Sequence, residues 1–412
     1  MNTNLQPPAF SDIGIIALVP DRWGEQWQAR HRIAPRLARY FQVVWMDYPI
    51  QRQEIIPALF GSHRAVDGSG LPAALHVYHP GPWLPRLGRP AWLGRWTSLR
   101  RLQHVRNLLL AQGCSKIVLY LWRPEFAPAL SQVPHELGCY HIDDEYSFSE
   151  VEIDCDNNEI DLIRSVGQVF IHSPAMMEKK GGFNPNTEFV PNGVDYQKYA
   201  TPVPEPQEFA RIPHPRVGYV GTLKKMLDWP LLLELARQHP EWSFVFVGNV
   251  ASHEELPEIL SALAQYRNVH MLPGKPAQIL PAYVQHCDVC ILPYRVDDYT
   301  KYIYPLKLHE CLASGRPVVG SHIPAIEAFE GTVLLAGNAQ EWSSAIQRAL
   351  SPIENAPRHC EARRGVARLH DWDVLVEKIA MIVARRLGYS LPESPPPVDE
   401  GLRLENVFRA GS

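Results

Sequence analysis

Short, continuous apolar runs recur along the chain, and stretches with helical spacing of apolar residues lie between them. Runs that are apolar at every position are typical of strands buried on both faces of a parallel sheet. Their alternation with helices predicts right-handed βαβ units and an α/β fold of doubly wound sheets. The predicted strands are residues 13–19, 41–48, 75–79, 116–122, 138–143 and 168–173 in the first half, and 216–221, 243–249, 268–272, 288–294, 316–321 and 332–337 in the second.

The alternation breaks once, over residues 191–215, where turn residues precede a proline-rich stretch. This break indicates a linker between two Rossmann-like domains that face each other across a cleft. A last amphipathic run follows a good N-cap aspartate, and the end of the chain is rich in proline. The predicted division is a first domain over 1–195, a second over 196–370, a C-terminal helix over 371–390 and a disordered tail over 391–412.

Composition and charge narrow the class of protein. The chain has 412 residues, of which 46% are hydrophobic and 20% charged, as expected for a globular protein with a sizeable core. A net charge of −4 gives no reason to expect a nucleic-acid partner. We expect no membrane-spanning helix, because no apolar run is long enough, and no secretory signal, because the N-terminus lacks a basic region and a cleavage site.

Cysteine usage agrees with a cytoplasmic location. The chain has seven scattered cysteines, an odd number, which favours a reducing compartment. Cys287 and Cys290 form one C-x-x-C pair at the entrance to a predicted buried strand. A metal or redox role is one interpretation, and small core residues are the favoured one, because no second pair lies nearby. We expect no metal and no cofactor.

The stretch "YIYPLKLHECLASGRPVV" (302–319) predicts a short helix that begins at Pro305 and ends at Gly315. Lys307 lies in its first turn, where a cation faces the positive end of the helix dipole. A helix N-terminus already favours anions, so a lysine there is explained if a phosphate binds between them. Glu310, on the same helix face, can accept hydrogen bonds from a ribose diol. The alternative is a surface ion pair between the two side chains.

Residues after neighbouring predicted strands favour the nucleotide interpretation. Tyr294 and Arg295 follow the fourth strand of the second half, and arginine grips phosphate bidentately. Glycines let a backbone approach a ligand closely, although no G-x-G-x-x-G or P-loop motif is present. The other candidates follow the first and third strands of the second half: Gly218, Gly221, Thr222, Lys224, Lys225, Gly274 and Lys275.

Three blocks of the second half carry a family resemblance. "VGYVGTLKKMLDWPLLLELARQHPEWSFVFVGN", "NVHMLPGKPAQILPAYVQHCDVCILPYR" and "YPLKLHECLASGRPVV" together resemble the donor-binding half of GT-B glycosyltransferases. The likeness is greatest to the family-4-like group that builds bacterial cell-surface polysaccharides, and more distant to the xanthan-pathway glucuronosyltransferase. "FVPNGVD" resembles the domain-junction motif of the same family.

The resemblance implies roles for named residues. Glu310 would hold the donor ribose, Lys307 and Arg295 would meet the diphosphate, and Gly274 to Pro276 would flank the base. The predicted donor site also includes Gly221, Thr222, Lys225, Lys275, Tyr294 and Leu308. One position departs from the family pattern E-x7-E, because Tyr302 stands where many members have the first glutamate, which contacts the donor sugar. The identity of the sugar and the stereochemical outcome therefore stay open.

Three adjacent acids, Asp143, Asp144 and Glu145, end a strand of the first half. Adjacent carboxylates repel, so one of them is expected to keep its proton to higher pH. The resemblance to the xanthan-pathway enzyme implies that Asp144 is the catalytic base, with Asp143 beside it. Alternatively, the acids cap the next helix or are simply solvated. Weaker candidates for the acceptor side follow the first strand: Trp23, Gly24, Arg30 and His31.

The segment 83–102, "WLPRLGRPAWLGRWTSLRRL", contains no acid. Tryptophan prefers the headgroup region of a bilayer, and arginines are attracted to anionic lipid. The segment therefore predicts peripheral contact with a membrane, where lipid-linked acceptors are found. The alternative is ordinary packing on the first domain. The tryptophans are Trp83, Trp92 and Trp96, and the arginines are Arg86, Arg89, Arg95, Arg100 and Arg101.

These observations predict a glycosyltransferase that moves a sugar from a nucleoside diphosphate donor, a UDP-sugar being the expected one, to a lipid-linked or polysaccharide acceptor in cell-envelope or exopolysaccharide synthesis. It would work at the inner face of the plasma membrane and stabilise the leaving diphosphate without a metal. Two other classes stay open. A nucleotide-sugar epimerase would need no acceptor, and a non-catalytic binding module would turn nothing over.

Overall fold

The computed structural model describes residues 7–24, 28–56, 71–148, 155–251 and 256–389. Among these residues, thirteen strands form two parallel sheets, one in each half of the chain. The α/β prediction is therefore confirmed, and each predicted strand has a counterpart. The predicted tail, 391–412, lies outside the described residues.

The first sheet has the strand order β3-β2-β1-β4-β5-β6-β7, and all its pairs are parallel. The chain reverses its direction of growth between β1 and β4, so side chains that follow these strands meet at one edge. The strands are β1 (Ile13–Leu18), β2 (Gln42–Met46), β3 (Leu75–Tyr78), β4 (Lys116–Leu121), β5 (Leu137–Ile142), β6 (Gln168–Ile171) and β7 (Thr187–Phe189).

The second sheet has the order β10-β9-β8-β11-β12-β13 and the same parallel pattern, with its reversal between β8 and β11. Ligands of such sheets bind beyond the carboxyl ends of the strands at this point. The strands are β8 (Arg216–Val220), β9 (Ser243–Val247), β10 (Val269–Leu272), β11 (Val289–Leu292), β12 (Val318–Gly320) and β13 (Leu334–Leu335).

Helices connect the strands and cover both sheets. Those of the first half are α1 (Ala29–Leu37), α2 (Ala91–Ala111), α3 (Ala129–Gln132), α4 (Asn157–Ser165) and α5 (Pro174–Lys180). Later helices are α6 (Tyr196–Ala200), α7 (Trp229–Gln238), α8 (Leu256–Leu263), α9 (Leu280–Gln285), α10 (Leu306–Ser314), α11 (Pro324–Glu327), α12 (Ala339–Ala349), α13 (Pro357–Leu369) and α14 (Trp372–Arg386).

Two elements differ from the prediction. β7 was not predicted, because its three half-buried residues are too few to show a pattern. The segment 191–215, predicted as turn and coil, contains the short helix α6. Tyr196 and Tyr199 of this helix are buried in the core of the second half, which explains why the segment is ordered there.

The last helix crosses back to the first half. α14 begins after Asp371, as predicted, and the Asp371 carboxylate accepts a hydrogen bond of 2.7 Å from the N–H of Asp373. Its apolar face, including Val376 and Ile379, is buried in a core cluster with residues of β1 and β2. Burying such side chains contributes roughly 1.5–3 kcal/mol each, so α14 ties the end of the chain firmly to the first sheet.

The three cysteines Cys287, Cys290 and Cys311 lie together in the core of the second half. No group of three or more potential metal ligands is found within the described part of the chain. Burial as small core residues is therefore the interpretation of the C-x-x-C pair that this packing favours. A membrane-crossing helix is not found either among the described residues, since none combines sufficient length with sufficient apolar character.

Candidate active site

Lys307 lies in the first turn of α10, where the loop after β8 meets the helix. Its Nζ is 5.3 Å from the ring centroid of Tyr219, which forms a floor beneath it. Gly221 has φ +146°, and a Cβ on it would lie 1.8 Å from Lys307 Cε. Only glycine therefore combines this backbone conformation with space for the lysine. The loop and α10 together hold one cation at a helix N-terminus, which is an anion-binding arrangement.

Glu310 lies one turn further along α10. The Tyr199 hydroxyl, from α6, donates a hydrogen bond to its carboxylate, and Lys307 and Arg32 are its charged neighbours. Burial raises the pKa of Glu310, and Lys307 opposes this rise. The carboxylate is thus held beside Lys307 by groups from three segments, which is more than a surface ion pair would require.

Leu308 is fully buried, and its N–H donates to the Pro305 carbonyl at 3.2 Å.

Arg295 and Lys225 are brought together, but away from the contacts of Lys307. They line a groove of about 650 Å³ whose other walls include Trp229 and Val296. The Arg295 side chain is 59% exposed, and its Nε is 3.8 Å from Asp297 Oδ2. Tyr294 connects the groove to Lys307, because it precedes Arg295 in the chain and its hydroxyl donates a hydrogen bond to Tyr219, which lies beneath Lys307. Tyr294 is buried.

Three further candidates, Thr222, Gly274 and Lys275, follow strand ends, whereas Gly218 does not. The Gly274 N–H donates to Asn249 Oδ1 at 3.2 Å, so this glycine has a side-chain partner at the end of β9. Lys275 Nζ is 2.6 Å from Glu208 Oε1, which ties the lysine to the linker. The Thr222 carbonyl accepts a 3.2 Å hydrogen bond from the Tyr219 hydroxyl. Gly218 lies inside β8, where a Cβ would be 2.1 Å from Cys287 Sγ.

Tyr302, at the position of the missing glutamate, turns towards the first half. It is 5% exposed and lies in a core cluster with residues of β1, β4 and β6. Lys179 Nζ is 5.1 Å from its ring centroid. The short 3₁₀ turn Thr300–Tyr302 therefore packs one half of the chain against the other.

Asp143 follows β5 and is fully engaged. Arg30 Nη1 donates to its Oδ2 at 2.5 Å, and the Tyr146 hydroxyl donates to its Oδ1 at 2.6 Å. Arg30, one of the predicted acceptor-side residues, also pairs with Asp21 and is 6% exposed. The Arg30–Asp143 pair joins the ends of β1 and β5 and leaves neither oxygen of Asp143 without a donor.

Asp144 is in a different setting. The Glu145 N–H donates to its Oδ1 at 2.9 Å, and the Tyr299 hydroxyl reaches it from the second half. Burial raises the pKa of Asp144, and the neighbouring Asp143 raises it further. Lys224 faces it across the cleft: burial lowers the pKa of Lys224, Lys307 lowers it further, and Asp144 opposes the change. Asp144, Lys224 and Lys307 therefore form one electrostatic group that spans both halves.

A buried ion-pair network holds the loop that carries these aspartates. Lys180 Nζ is 2.9 Å from both Glu145 Oε1 and Glu159 Oε2, and the three side chains are at most 1% exposed. The Tyr140 hydroxyl donates to Glu159 Oε1 at 2.9 Å. Removing one member of such a network leaves a buried charge uncompensated, so it fixes the position of the third acid, Glu145.

The other acceptor-side candidates pack around the end of β1. Trp23 donates its backbone N–H to Asp47 Oδ1 at 2.7 Å, and its ring lies edge-on to Trp45 at 5.0 Å. His31 is buried, and its Nδ1 accepts a 3.1 Å hydrogen bond from the Gln28 N–H. Burial lowers the pKa of His31 to about 4, so the ring is neutral at physiological pH. Gly24 has φ +90° and turns the chain beside them.

The segment 83–102 exposes its tryptophans. Trp83, Trp92 and Trp96 are 79%, 69% and 45% exposed, so ordinary core packing does not describe them. Arg100 stacks over Trp96 at 5.5 Å. Arg101 differs from the surface role predicted for it, because it is 5% exposed and donates to backbone carbonyls of the same segment.

Comparison with known proteins identifies the second half. Residues 214–352 match the family described as "Glycosyl transferases group 1". This region, which we call the group 1 domain, is therefore similar to that family. It contains β8 to β13 and α10, and therefore Lys307, Glu310 and the floor beneath them.

A relative of this chain carries a functional name. Over 197 residues the chain is 28% identical to a Bacillus subtilis (strain 168) protein named as a teichuronic acid biosynthesis glycosyltransferase, TuaH. The match covers 46% of this chain and 49% of that relative, so it spans about half the length of each.

Solved structures establish the fold over nearly the whole chain. Sucrose-phosphate synthase of Thermosynechococcus elongatus superposes with a TM-score of 0.68 at 17% identity, covering 93% of this chain and 100% of that one. HepE of Anabaena in complex with UDP-glucose superposes with a TM-score of 0.65 at 17% identity, covering 90% and 99%. The chain has the two-sheet GT-B fold, with the group 1 domain as its second half.

Sequence reasoning missed residues that reach this site from other segments. Tyr299 and Tyr199 bond Asp144 and Glu310, yet neither lies in a motif that identifies it. Lys224 was noted beside Lys225, but only the loop geometry after β8 shows that Lys224 faces Asp144 and Lys307. These contacts join residues that are far apart in the sequence. The residues around Tyr199 and Tyr299 therefore gave no indication that the two hydroxyls bind Glu310 and Asp144.

Proposed function

We propose that this protein is a glycosyltransferase that moves a sugar from a UDP-sugar to a lipid-linked or polysaccharide acceptor in bacterial cell-envelope polysaccharide synthesis. The observation that carries the proposal is the arrangement of Lys307 and Glu310 on α10, at the carboxyl ends of β8 and β11 in a group 1 domain. The UDP-glucose bound to HepE and the functional name of TuaH support the donor and the pathway.

On the donor side, α10 and its surroundings recognise a nucleoside diphosphate. The free N–H groups of the helix and Lys307 would stabilise charge that develops on the leaving diphosphate. Glu310 would accept hydrogen bonds from the ribose hydroxyls, since Tyr199 fixes its carboxylate in place. Arg295 and Lys225, in their adjoining groove, would bind a further part of the donor.

On the acceptor side, Asp144 is the candidate general base. A raised pKa makes its carboxylate a better proton acceptor than an ordinary aspartate, and the Glu145 N–H and Arg123 oppose the rise. It would take the proton of the attacking hydroxyl in an inverting reaction. Asp143 is already bound by Arg30 and Tyr146 and would position the loop instead.

The place of work we propose is the inner face of the plasma membrane. The three exposed tryptophans and the exposed arginines, Arg86, Arg89, Arg95 and Arg100, lie in a segment without an acid. Such a segment suits an anionic leaflet that presents a lipid-linked acceptor.

A thermal-shift screen of nucleoside diphosphates and UDP-sugars, followed by product analysis, tests the proposal. A ligand at about 100 times its Kd stabilises the protein by about 2.7 kcal/mol, which gives a clear shift. We expect UDP to stabilise the protein, and UDP release from a UDP-sugar to require an acceptor extract. Conversion of a UDP-sugar to an isomer without acceptor would indicate an epimerase. Binding without turnover would indicate a binding module, and no shift with any nucleotide would contradict the donor site.

A further inference from the structure

A cavity lies beneath segment 83–102, at the same edge of the first sheet as Asp144. Its volume is about 310 Å³. Leu18 and Met46, the last residues of β1 and β2, form its floor, and Glu125 and Phe126 of the 3₁₀ turn after β4 form one wall. The mechanism proposed above does not use this cavity. The arginines that line it are Arg86, Arg95 and Arg101.

Arg101 is a buried cation without a carboxylate partner in the part of the chain that the structure describes. It is 5% exposed, and its Nη1 donates to the carbonyls of Leu84 and Pro85 at 2.7 and 2.9 Å. Its buried Nε has no hydrogen-bond partner among the described residues. Burial lowers the pKa of Arg101 to about 10, and Arg86 adds to this effect. An uncompensated buried charge is costly unless an anion binds beside it.

The other charges around the cavity do not compensate it. The carboxylate that lines the cavity, Glu125, is 3.9 Å from Arg86 Nη1, and Arg86 also stacks over Tyr48 at 5.0 Å. Arg95 lines the cavity, is exposed and forms no ion pair with the residues that the structure describes. Three arginines and one carboxylate therefore line the cavity, and apolar residues, including Leu87 and Phe126, line it as well.

We propose that this cavity binds the phosphate-bearing end of an amphiphilic acceptor, with Arg101 and Arg95 holding the phosphate and the exposed tryptophans contacting its apolar chain. The inference rests on the proposed function, whose acceptor it specifies. Arginine binds phosphate through several N–H groups at once, so a guanidinium pair suits this group.

The position of the cavity relative to Asp144 supports an acceptor rather than an unrelated anion. Glu125 and Arg123 are two residues apart after β4, and Arg123 stacks over Tyr146 at 4.5 Å. Tyr146 in turn donates to Asp143, the neighbour of Asp144. A phosphate held in the cavity would therefore direct an attached sugar towards the candidate base along the edge of the sheet.

Calorimetric titration of the full chain with farnesyl phosphate tests this site, with UDP present at saturation so that the donor site is occupied. We expect Arg95→Gln to weaken farnesyl phosphate binding about tenfold, as for loss of one charge-assisted hydrogen bond. Arg101→Gln should weaken it at least as much. Arg95 is exposed and forms no ion pair with the residues that the structure describes, so its variant tests the site even if Arg101→Gln does not fold.

Arg106→Gln is the matched control, since Arg106 is on the same helix but lies outside segment 83–102 and does not line the cavity. Inorganic phosphate should bind at least about tenfold more weakly than farnesyl phosphate, because it lacks the chain. Equal losses for Arg95→Gln and Arg106→Gln, equal affinity for the two probes, or no farnesyl phosphate binding would overturn the proposal. Phosphatidylglycerol vesicles distinguish a specific acceptor from general lipid binding. If Arg95→Gln and Arg101→Gln weaken binding to the vesicles but not to farnesyl phosphate, these arginines contact lipid in general, and the proposal is overturned. None of these results would affect the donor site, which is tested separately by the dependence of UDP binding on Lys307.

Discussion

Two neighbouring aspartates at the end of β5 differ in every contact. Asp143 accepts from Arg30 and Tyr146, while Asp144 is half-buried beside it and accepts a hydrogen bond from the Tyr299 hydroxyl of the other half. The sequence shows three adjacent acids, which predicts that they repel one another. It does not show which of the acids is paired with a cation. That distinction depends on Arg30, 113 positions away, and is therefore a tertiary property.

Asp144→Asn should reduce sugar transfer about 10²–10⁴-fold and leave UDP affinity unchanged, because a general base acts only in the transition state. The variant should also be at least as stable as wild type at pH 7. The raised pKa means that ionised Asp144 costs stability above its folded pKa, and this cost disappears below the unfolded pKa. Steady-state kinetics and thermal unfolding measure both effects.

Asp143→Asn provides the contrast, since it removes a partner of buried Arg30. It should lower the free energy of unfolding by about 1–3 kcal/mol, whereas sugar transfer should fall less than in Asp144→Asn. Full activity of Asp144→Asn would remove this residue from the mechanism.

Glu310→Gln should weaken UDP binding by about 1–3 kcal/mol, because a charged acceptor of the ribose hydroxyls is lost. With dUDP the loss should be smaller. Since the pKa of Glu310 is raised by burial, wild-type affinity for UDP should fall as the pH drops towards that raised value, and the variant should show a flatter profile. Calorimetry from pH 7 to pH 5 tests this, and parallel losses for UDP and dUDP would place the ribose elsewhere.

At the scale of elements, the loop after β8 and the helix α10 form one unit. The helix boundaries followed from Pro305 and Gly315, and the structure confirms them, with Gly315 at φ +80° as the C-cap. The close approach of Gly221 and Lys307 was not predictable from the sequence. Gly221 was explained as a glycine in a ligand-binding loop, and Lys307 as a phosphate ligand in the first turn of a helix. β7 and α6 were missed for a similar reason: they are short, and their burial comes from distant partners.

Gly221→Ala should weaken UDP binding about as much as loss of Lys307, because the new Cβ would displace the lysine side chain from its position over Tyr219. The strained backbone should cost about 1–3 kcal/mol of stability. Gly365→Ala is the control: it lies within α13 with no atom near its Cβ, so it should gain about 0.5–1 kcal/mol and bind UDP normally. Normal UDP affinity in Gly221→Ala would separate the loop from the donor site.

Segment 83–102 should bind anionic vesicles although the whole chain is a net anion. Charges beyond about 8 Å are largely screened at physiological salt, so the local arginines decide the attraction. Replacing Arg95 and Arg100 by Ser should cost about 2 kcal/mol, at about 1 kcal/mol for each. Added salt should weaken binding without abolishing it, because the tryptophans insert apolar surface.

Cosedimentation measures this binding, with Arg237→Ser and Arg348→Ser as a control pair of exposed arginines on the second half. Absence of wild-type binding at low salt, or an equal loss in the control pair, would contradict peripheral contact through this segment.

For the whole molecule, two sheets and a returning helix create the site. The sequence pattern was sufficient for the two sheets and for α14, because continuous apolar runs and an N-cap aspartate are local signals. The way the halves meet was not predictable: Tyr299 and Tyr302 cross to the first half, and Tyr302 replaces a family glutamate with a core side chain. These contacts help to bring together the edges that carry Asp144 and Lys307.

The most direct test of the account is calorimetric titration of UDP into wild type and Lys307→Ala. We expect Lys307→Ala to fold normally and to bind UDP about 10–150-fold more weakly, the equivalent of about 1.5–3 kcal/mol for a hydrogen bond to a charged group. Lys378→Ala, which removes a lysine bound to Phe189 and Glu188 on the first half, should bind UDP like wild type. Equal UDP affinity in wild type and Lys307→Ala would contradict the claim that α10 presents Lys307 to a nucleoside diphosphate.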